Sequence, residues 1–320
     1  MRDPKYRTRL PQLGETRLLT DGGIETTLIF YDGLDLPLFA AFTLLSSSEG
    51  RAALRRYYES YIRVAHIQEV GLILDSATWR ASQAWGDQLG YDTAALQEAN
   101  RAAVAMLFGL RAELERAEPF VISGNVGPQG DGYVASALLS PAEAEVYHRA
   151  QITSLADAGV DMISAITMTH AGEAIGIARA CAQAEVPLAL SFALETDGHL
   201  PSGQSLEDAI REVDADPHGA VAYFMINCAH PDHFRTVLRS GADWTRRIRG
   251  LRANASRLSH AELDAAEKLD EGNPRELGRD YAGLLPLLPN LRVFGGCCGT
   301  DHRHIAEIGH ACIPAQVTSM

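Results

Sequence analysis

The chain has 320 residues, long for a simple two-layer domain and ordinary for one α/β barrel, so a single domain over 1–320 suffices. Its 28 Lys and Arg against 41 Asp and Glu give a net charge of −13, which argues against nucleic acid or an anionic membrane surface and is compatible with a cationic small substrate. The 46% hydrophobic content suits a large core, no run is apolar enough to span a membrane, and Met1–Arg7 lacks a signal core, so a cytoplasmic protein with reduced thiols is expected.

Short apolar runs alternate with amphipathic stretches, the pattern of parallel strands joined by crossover helices. The first strand is Arg17–Thr20, ending in Asp21-Gly22-Gly23, and a Gly, Asp and Pro-rich loop follows. A helix is predicted over 49–70, with Leu54, Tyr58, Ile62 and Ala65 at helical spacing. Strand two is Gly71–Thr78 and its helix 93–117; strand three is Phe120–Ser123, with a glycine-rich loop behind it. Pro141 opens the next helix at a favoured first-turn position, with Ser140 as cap. Strand four is Met162–Thr167 with a helix over 171–184, and strand five is Pro187–Phe192 with a helix opening at Ser205. Strand six ends at Cys228 and leads into a helix over 231–240. Strand seven is placed on the basic stretch Arg247–Leu251, and strand eight on Leu291–Phe294, with a closing helix over 301–311.

Eight such units predict a (β/α)8 barrel of the TIM type, although a doubly wound open sheet shares the pattern. The barrel is favoured by where the distinctive residues fall. Asp21, Thr78, Gly124, Glu195, Cys228 and Cys297 all lie at or just past the C-terminal ends of different strands, the face on which barrel enzymes assemble their sites.

The most informative stretch is Phe294-Gly295-Gly296-Cys297-Cys298-Gly299-Thr300-Asp301. Adjacent cysteines seldom pair with each other, and two thiolates aimed at one metal, with a third ligand from elsewhere, is the more natural use. Cys181 sits mid-helix as a small hydrophobe and Cys312 has no motif around it, leaving Cys228 at the end of strand six as the third thiol. The flanking glycines suggest a backbone that side chains would forbid. Three thiolates would leave one position of a zinc ion open, which is the catalytic arrangement. Two blander readings use the same residues: a closed zinc site completed by His230, His302 or His304, and reduced cysteines with no metal.

Asn227-Cys228, followed roughly seventy residues on by Gly-Gly-Cys-Cys-Gly-Thr, resembles the zinc-dependent homocysteine S-methyltransferase family. Leu18 to Gly23, Gly124-Asn125-Val126-Gly127-Pro128 and Ser191 to Gly198 are similar to its other signatures, so the resemblance covers about Arg17 to Cys312. It implies Zn2+ on Cys228, Cys297 and Cys298 and methyl transfer from a sulfonium donor (S-methylmethionine or S-adenosylmethionine) to the thiol of homocysteine, giving methionine. A free thiol has a pKa of about 8.5, and coordination removes its proton, so the metal supplies the nucleophile. The resemblance also places the acceptor's amino group on Asp21 and its carboxylate on the backbone N–H groups of Gly22 and Gly23. Asn227 is read either as orienting the loop or ligand or as purely structural, and Thr78, at the end of strand two, is a further candidate substrate contact.

The chain departs from the family at two points. A Glu-Thr pair is usual at the end of strand four, its glutamate binding the ammonium group, and here Ile166-Thr167 stands there. The second-strand signature is here Ser76-Ala77-Thr78-Trp79. Glu195, at the end of the adjacent strand five, is read either as the replacement carboxylate or as a solvated loop residue. Without a replacement, the zinc thiolates would serve another thiol or another onium donor, or the protein would bind zinc or thiol without turnover. The basic run Arg246–Arg252 is read either as a contact for an anionic donor group or as a solvated face.

Overall fold

The computed structural model describes residues 3–135, 138–238, 241–266 and 268–313. In chain order it contains β1 (Leu18–Thr20), α1 (Ile24–Phe30), α2 (Ser48–Gln68), β2 (Gly71–Asp75), α3 (Gln83–Leu89), α4 (Thr93–Leu114), β3 (Phe120–Val126), α5 (Pro141–Ala158), β4 (Met162–Met168) and α6 (Ala171–Gln183). It continues with β5 (Leu188–Ala193), α7 (Leu206–Asp214), β6 (Tyr223–Asn227), α8 (Pro231–Phe234), β7 (Ile248–Ala253), α9 (His260–Asp264), α10 (Pro274–Leu284), β8 (Val293–Gly296) and α11 (His302–Cys312). All eight strands are parallel and close into a barrel in sequence order, with Leu18 of β1 beside Val293 of β8. Closure excludes the open-sheet alternative.

The strands are buried on both faces, as parallel strands under a ring of helices must be. Leu72, Leu74, Ile122 and Ile163 join the outer core beneath the helices, where Leu54, Tyr58, Ile62 and Ala65 of α2 pack as their spacing predicts. Leu18, Ile73, Val121, Met162, Ile166 and Met225 form a separate inner core. The N-terminal stretch plugs this inner core, a role its polarity did not suggest. Leu10 joins the cluster, and fully buried Gln12 donates from Nε2 to the Tyr223 hydroxyl at 3.3 Å.

Boundaries shift where the sequence reads ambiguously. Strand seven starts and ends later than predicted, at Ile248–Ala253, and strand eight runs on through Gly295 and Gly296. These two glycines are therefore strand residues, not a turn. They are needed because a Cβ at either would strike the hydroxyl of Thr20 or of Thr300. Only Gly299 of that stretch has the left-handed backbone, φ 76°. The short helices α1 and α3 were not anticipated. Of the helix predicted over 231–240, only Pro231–Phe234 forms (α8); a turn follows over 235–237, and positions 239 and 240 lie outside the described residues. No described helix is long and apolar enough to cross a membrane.

Asp301 fixes the end of the cysteine-bearing loop by capping α11: Oδ1 accepts from the Arg303 N–H at 2.9 Å and from His304 Nδ1 at 3.0 Å. Burial alone would raise its carboxyl, but the His304 and Arg303 hydrogen bonds outweigh that and hold it well below the usual carboxylate range. A group depressed on folding contributes stability above its unfolded pKa, here 3.8, and loses it as pH falls. Asp301→Ala is expected to lower stability by about 1–2 kcal/mol at pH 7. In urea melts, the difference from wild type should shrink as pH drops below the ordinary carboxylate range.

Candidate metal centre

Strand β7 is the template on which the cysteines meet. Cys228, directly after β6, donates its N–H to the Arg252 carbonyl at 3.2 Å, and Cys297, directly after β8, donates to the Ala253 carbonyl at 2.9 Å. The loops beyond are tied to β7 again, by Asn254 N–H to Ala229 O and Ala255 N–H to Cys298 O, both 3.1 Å. Cys228 has a left-handed backbone, φ 53°, unusual for a non-glycine residue and held only where the surroundings constrain it. The Sγ atoms of Cys228, Cys297 and Cys298 lie within 4.8 Å of one another. Cys228 and Cys297 are paired as a disulfide, with Cα atoms 5.6 Å apart, and Cys298 is free.

Asn227 ties this sulfur group to the barrel wall. Its Oδ1 accepts from Thr167 N–H at 2.9 Å and from Ser191 Oγ at 2.6 Å, which fixes the amide's orientation. Its Nδ2 then points at Cys228 Sγ, 3.2 Å away, an arrangement that would stabilise negative charge on that sulfur once the pair is reduced. Cys298 is met by the Tyr133 hydroxyl at 3.0 Å, and the Tyr133 ring stacks on His260 with centroids 4.2 Å apart. Burial pushes the Cys298 thiol up to about 11, with the Tyr133 hydrogen bond opposing. Such a thiol ionises at neutral pH only if a cation compensates its charge.

Beneath the sulfurs lies a buried ion cluster. Arg252 donates from Nη2 to Asp21 Oδ1 at 2.6 Å, from Nη1 to Asp75 Oδ2, and from Nε to the Gly296 carbonyl at 3.2 Å. Asp21 also accepts from the Tyr57 hydroxyl at 3.0 Å. Desolvation raises the Asp21 carboxyl to about 6, Arg252 pulling it down and Asp75 pushing it up.

The homocysteine S-methyltransferase family model matches residues 18–312. The chain belongs to the homocysteine S-methyltransferase family. Among named relatives, the homocysteine S-methyltransferase YbgG of Bacillus subtilis is 25% identical over 61% of this chain and 62% of the relative. The homocysteine S-methyltransferase of Escherichia coli is 26% identical over 62% and 64%. The chain thus spans under two thirds of these relatives' length. Among solved structures, the Escherichia coli homocysteine methyltransferase MmuM superposes in its oxidized form with TM-score 0.75 at 22% identity, covering 96% of this chain and 99% of that one. Its metallated form gives 0.73 at 23% identity, covering 95% and 99%. At these identities the superposition establishes the shared fold.

Thr78 is fully buried and donates to the Asn125 carbonyl at 2.7 Å, so its hydroxyl is engaged within the barrel. The Gly23 N–H donates to the Thr300 carbonyl at 3.1 Å. Glu195 is partly exposed and faces His260 Nδ1 at 3.4 Å, while His260 Nε2 meets the Cys228 carbonyl at 2.6 Å. Among the described residues, no histidine joins the sulfur group. His230 caps α8, His304 is bound to the α11 cap Asp301, and burial lowers His230 to about 4. Arg252, from the run read as a donor contact or a solvated face, is instead buried against the protein's own carboxylates. Tyr133, His260 and Glu25 were not singled out in the sequence; isolated residues in loops or short helices carry no spacing signal.

Removing Arg252 leaves two carboxylates buried without their cation. Arg252→Met is expected to destabilise the protein by about 3–5 kcal/mol, read from urea unfolding, and adding Asp21→Asn should restore part of the loss.

Proposed function

We propose that Cys228, Cys297 and Cys298, as thiolates, hold one zinc ion, and that the chain moves a methyl group from a sulfonium donor to the thiol of homocysteine. The observation that carries the reading is the convergence of three sulfurs from two strand ends at the C-terminal mouth of a barrel in this family. The donor set fits zinc: soft sulfur ligands, close enough to share an ion, with an amide N–H already directed at one of them. Holding the ion requires the reduced state of the Cys228–Cys297 pair. When bound, zinc would supply Lewis acidity that makes the acceptor sulfur a thiolate at neutral pH.

The chain's own residues set the stage for the transfer. Asn227 stabilises charge on Cys228, and His260 holds the carbonyl of that residue. Tyr133, its hydroxyl pushed well above the usual phenol range by burial, stays protonated and donates toward Cys298. Its ring is held by stacking on His260. In the transfer the acceptor thiol gives its proton to solvent and its sulfur attacks the donor methyl carbon. The carbon–sulfonium bond breaks with both electrons going to the donor sulfur, which leaves as a neutral thioether.

A second reading within the same chemistry keeps the zinc thiolates but uses another thiol or another onium donor. It is favoured by Ile166, buried and apolar where the family presents a glutamate. Purified protein grown with zinc is expected to contain one zinc per chain and to turn over homocysteine with S-methylmethionine or S-adenosylmethionine. Chelation should abolish turnover and zinc restore it, and alanine at Cys228, Cys297 or Cys298 should remove metal and activity together. Turnover only with other thiols would select the second reading, and zinc without any turnover would refute both.

A further inference from the structure

A thiol that carries an amine brings a positive charge close to the sulfurs, and a carboxylate must be free to receive it. The two deepest acids in the barrel mouth are committed: Asp21 to Arg252 and Tyr57, and Asp75 to Arg252. Glu195 is turned toward His260.

Glu25 is placed differently. It lies in the first turn of α1, between two residues that touch the cysteine loop. On one side is Gly23, whose N–H bonds to the Thr300 carbonyl at 3.1 Å and where a Cβ would stand 2.7 Å from the Cys297 carbonyl oxygen. On the other is Thr26, whose Oγ1 accepts the Gly299 N–H at 3.3 Å. The turn bearing Glu25 is thus laid directly on the loop of Cys297 and Cys298. Among the described residues, the Glu25 carboxylate accepts from its own backbone N–H and is in no ion pair. Arg80, the cation with the largest effect on it, is held elsewhere: Nη1 bonds to the Leu38 carbonyl and the guanidinium lies 3.8 Å from the Trp85 ring centroid. Although Glu25 is only half-buried, desolvation pushes its carboxyl up to about 7, as expected for a charge without a close ion-pair partner.

We propose that Glu25 receives the ammonium group of the acceptor, making it a specificity-determining residue for thiols that carry a protonated amine a few bonds from sulfur. This rests on the proposed methyltransferase reading. Glu25 then performs the task that Ile166 on β4 cannot and for which Glu195 was one candidate. The acceptor, not the donor, is the substrate matched to it. The acceptor's sulfur sits at the cysteine cluster, so a cation on a short carbon chain from that sulfur stays beside the cysteine loop.

The test compares zinc-loaded wild type and Glu25→Gln with two acceptors of equal chain length, homocysteine and its amine-free counterpart 4-sulfanylbutanoate, at fixed methyl donor. Zinc content and melting temperature report whether the variant is folded. Wild type is expected to prefer homocysteine, and Glu25→Gln to reduce that preference in kcat/KM by roughly 10- to 100-fold, through KM more than kcat. An unchanged preference, or an effect confined to the donor's KM, overturns the proposal. If wild type methylates neither thiol, the methyltransferase reading fails on its own. Calorimetric titration of the zinc-loaded proteins with both thiols then decides the role of Glu25: loss of homocysteine selectivity in the variant supports it, and equal selectivity overturns it.

Discussion

Two cysteine-bearing strand ends can share an ion only if the strand between them holds both in register. Strand β7 does this with consecutive carbonyls: Arg252 O takes the N–H of Cys228 and Ala253 O takes that of Cys297. A slip of one residue would turn one thiol away from the others, because neighbouring side chains of a strand face opposite sides. The same strand supplies Arg252, whose guanidinium reaches β1 through Asp21 and β2 through Asp75. A single strand thus positions the sulfurs and, beneath them, pins the closure of the barrel.

That arrangement concentrates charge where there is little water. Two carboxylates and one guanidinium are buried under a sulfur group that itself becomes negative when it holds a metal. Buried ion clusters of this kind add little net stability, and breaking one is what costs. The cluster also consumes Asp21, the acid the family resemblance assigns to substrate. On the proposed reading, recognition of a cationic acceptor falls instead to Glu25 in the α1 turn.

Much of this was legible in the sequence for a physical reason. Apolar strands of a parallel barrel read as continuous runs, and β2 through β6 were located from them with small shifts of boundary. The cysteines were legible because vicinal thiols between glycines have few uses. Strand β7 was located within two residues at each end, but the place of Arg252 was not, because Arg249 and Arg252 read as surface residues. Arg252 points into the barrel and is compensated by acids more than 170 positions away in sequence, and no local pattern carries that. The N-terminal plug was missed likewise, since its one buried amide, Gln12, meets Tyr223 across the whole chain. Gly295 and Gly296 were noticed for the right residue type and the wrong cause, close approach to threonine hydroxyls and not backbone conformation.

The central claim is that three protein sulfurs hold the metal and leave room for a fourth from substrate. X-ray absorption at the zinc edge of the reduced, zinc-loaded enzyme tests it most directly. Three sulfur neighbours at about 2.3 Å, rising to four when the acceptor thiol is added, is the predicted result. Fewer than three sulfurs, or a shell that does not change with the thiol, would contradict it.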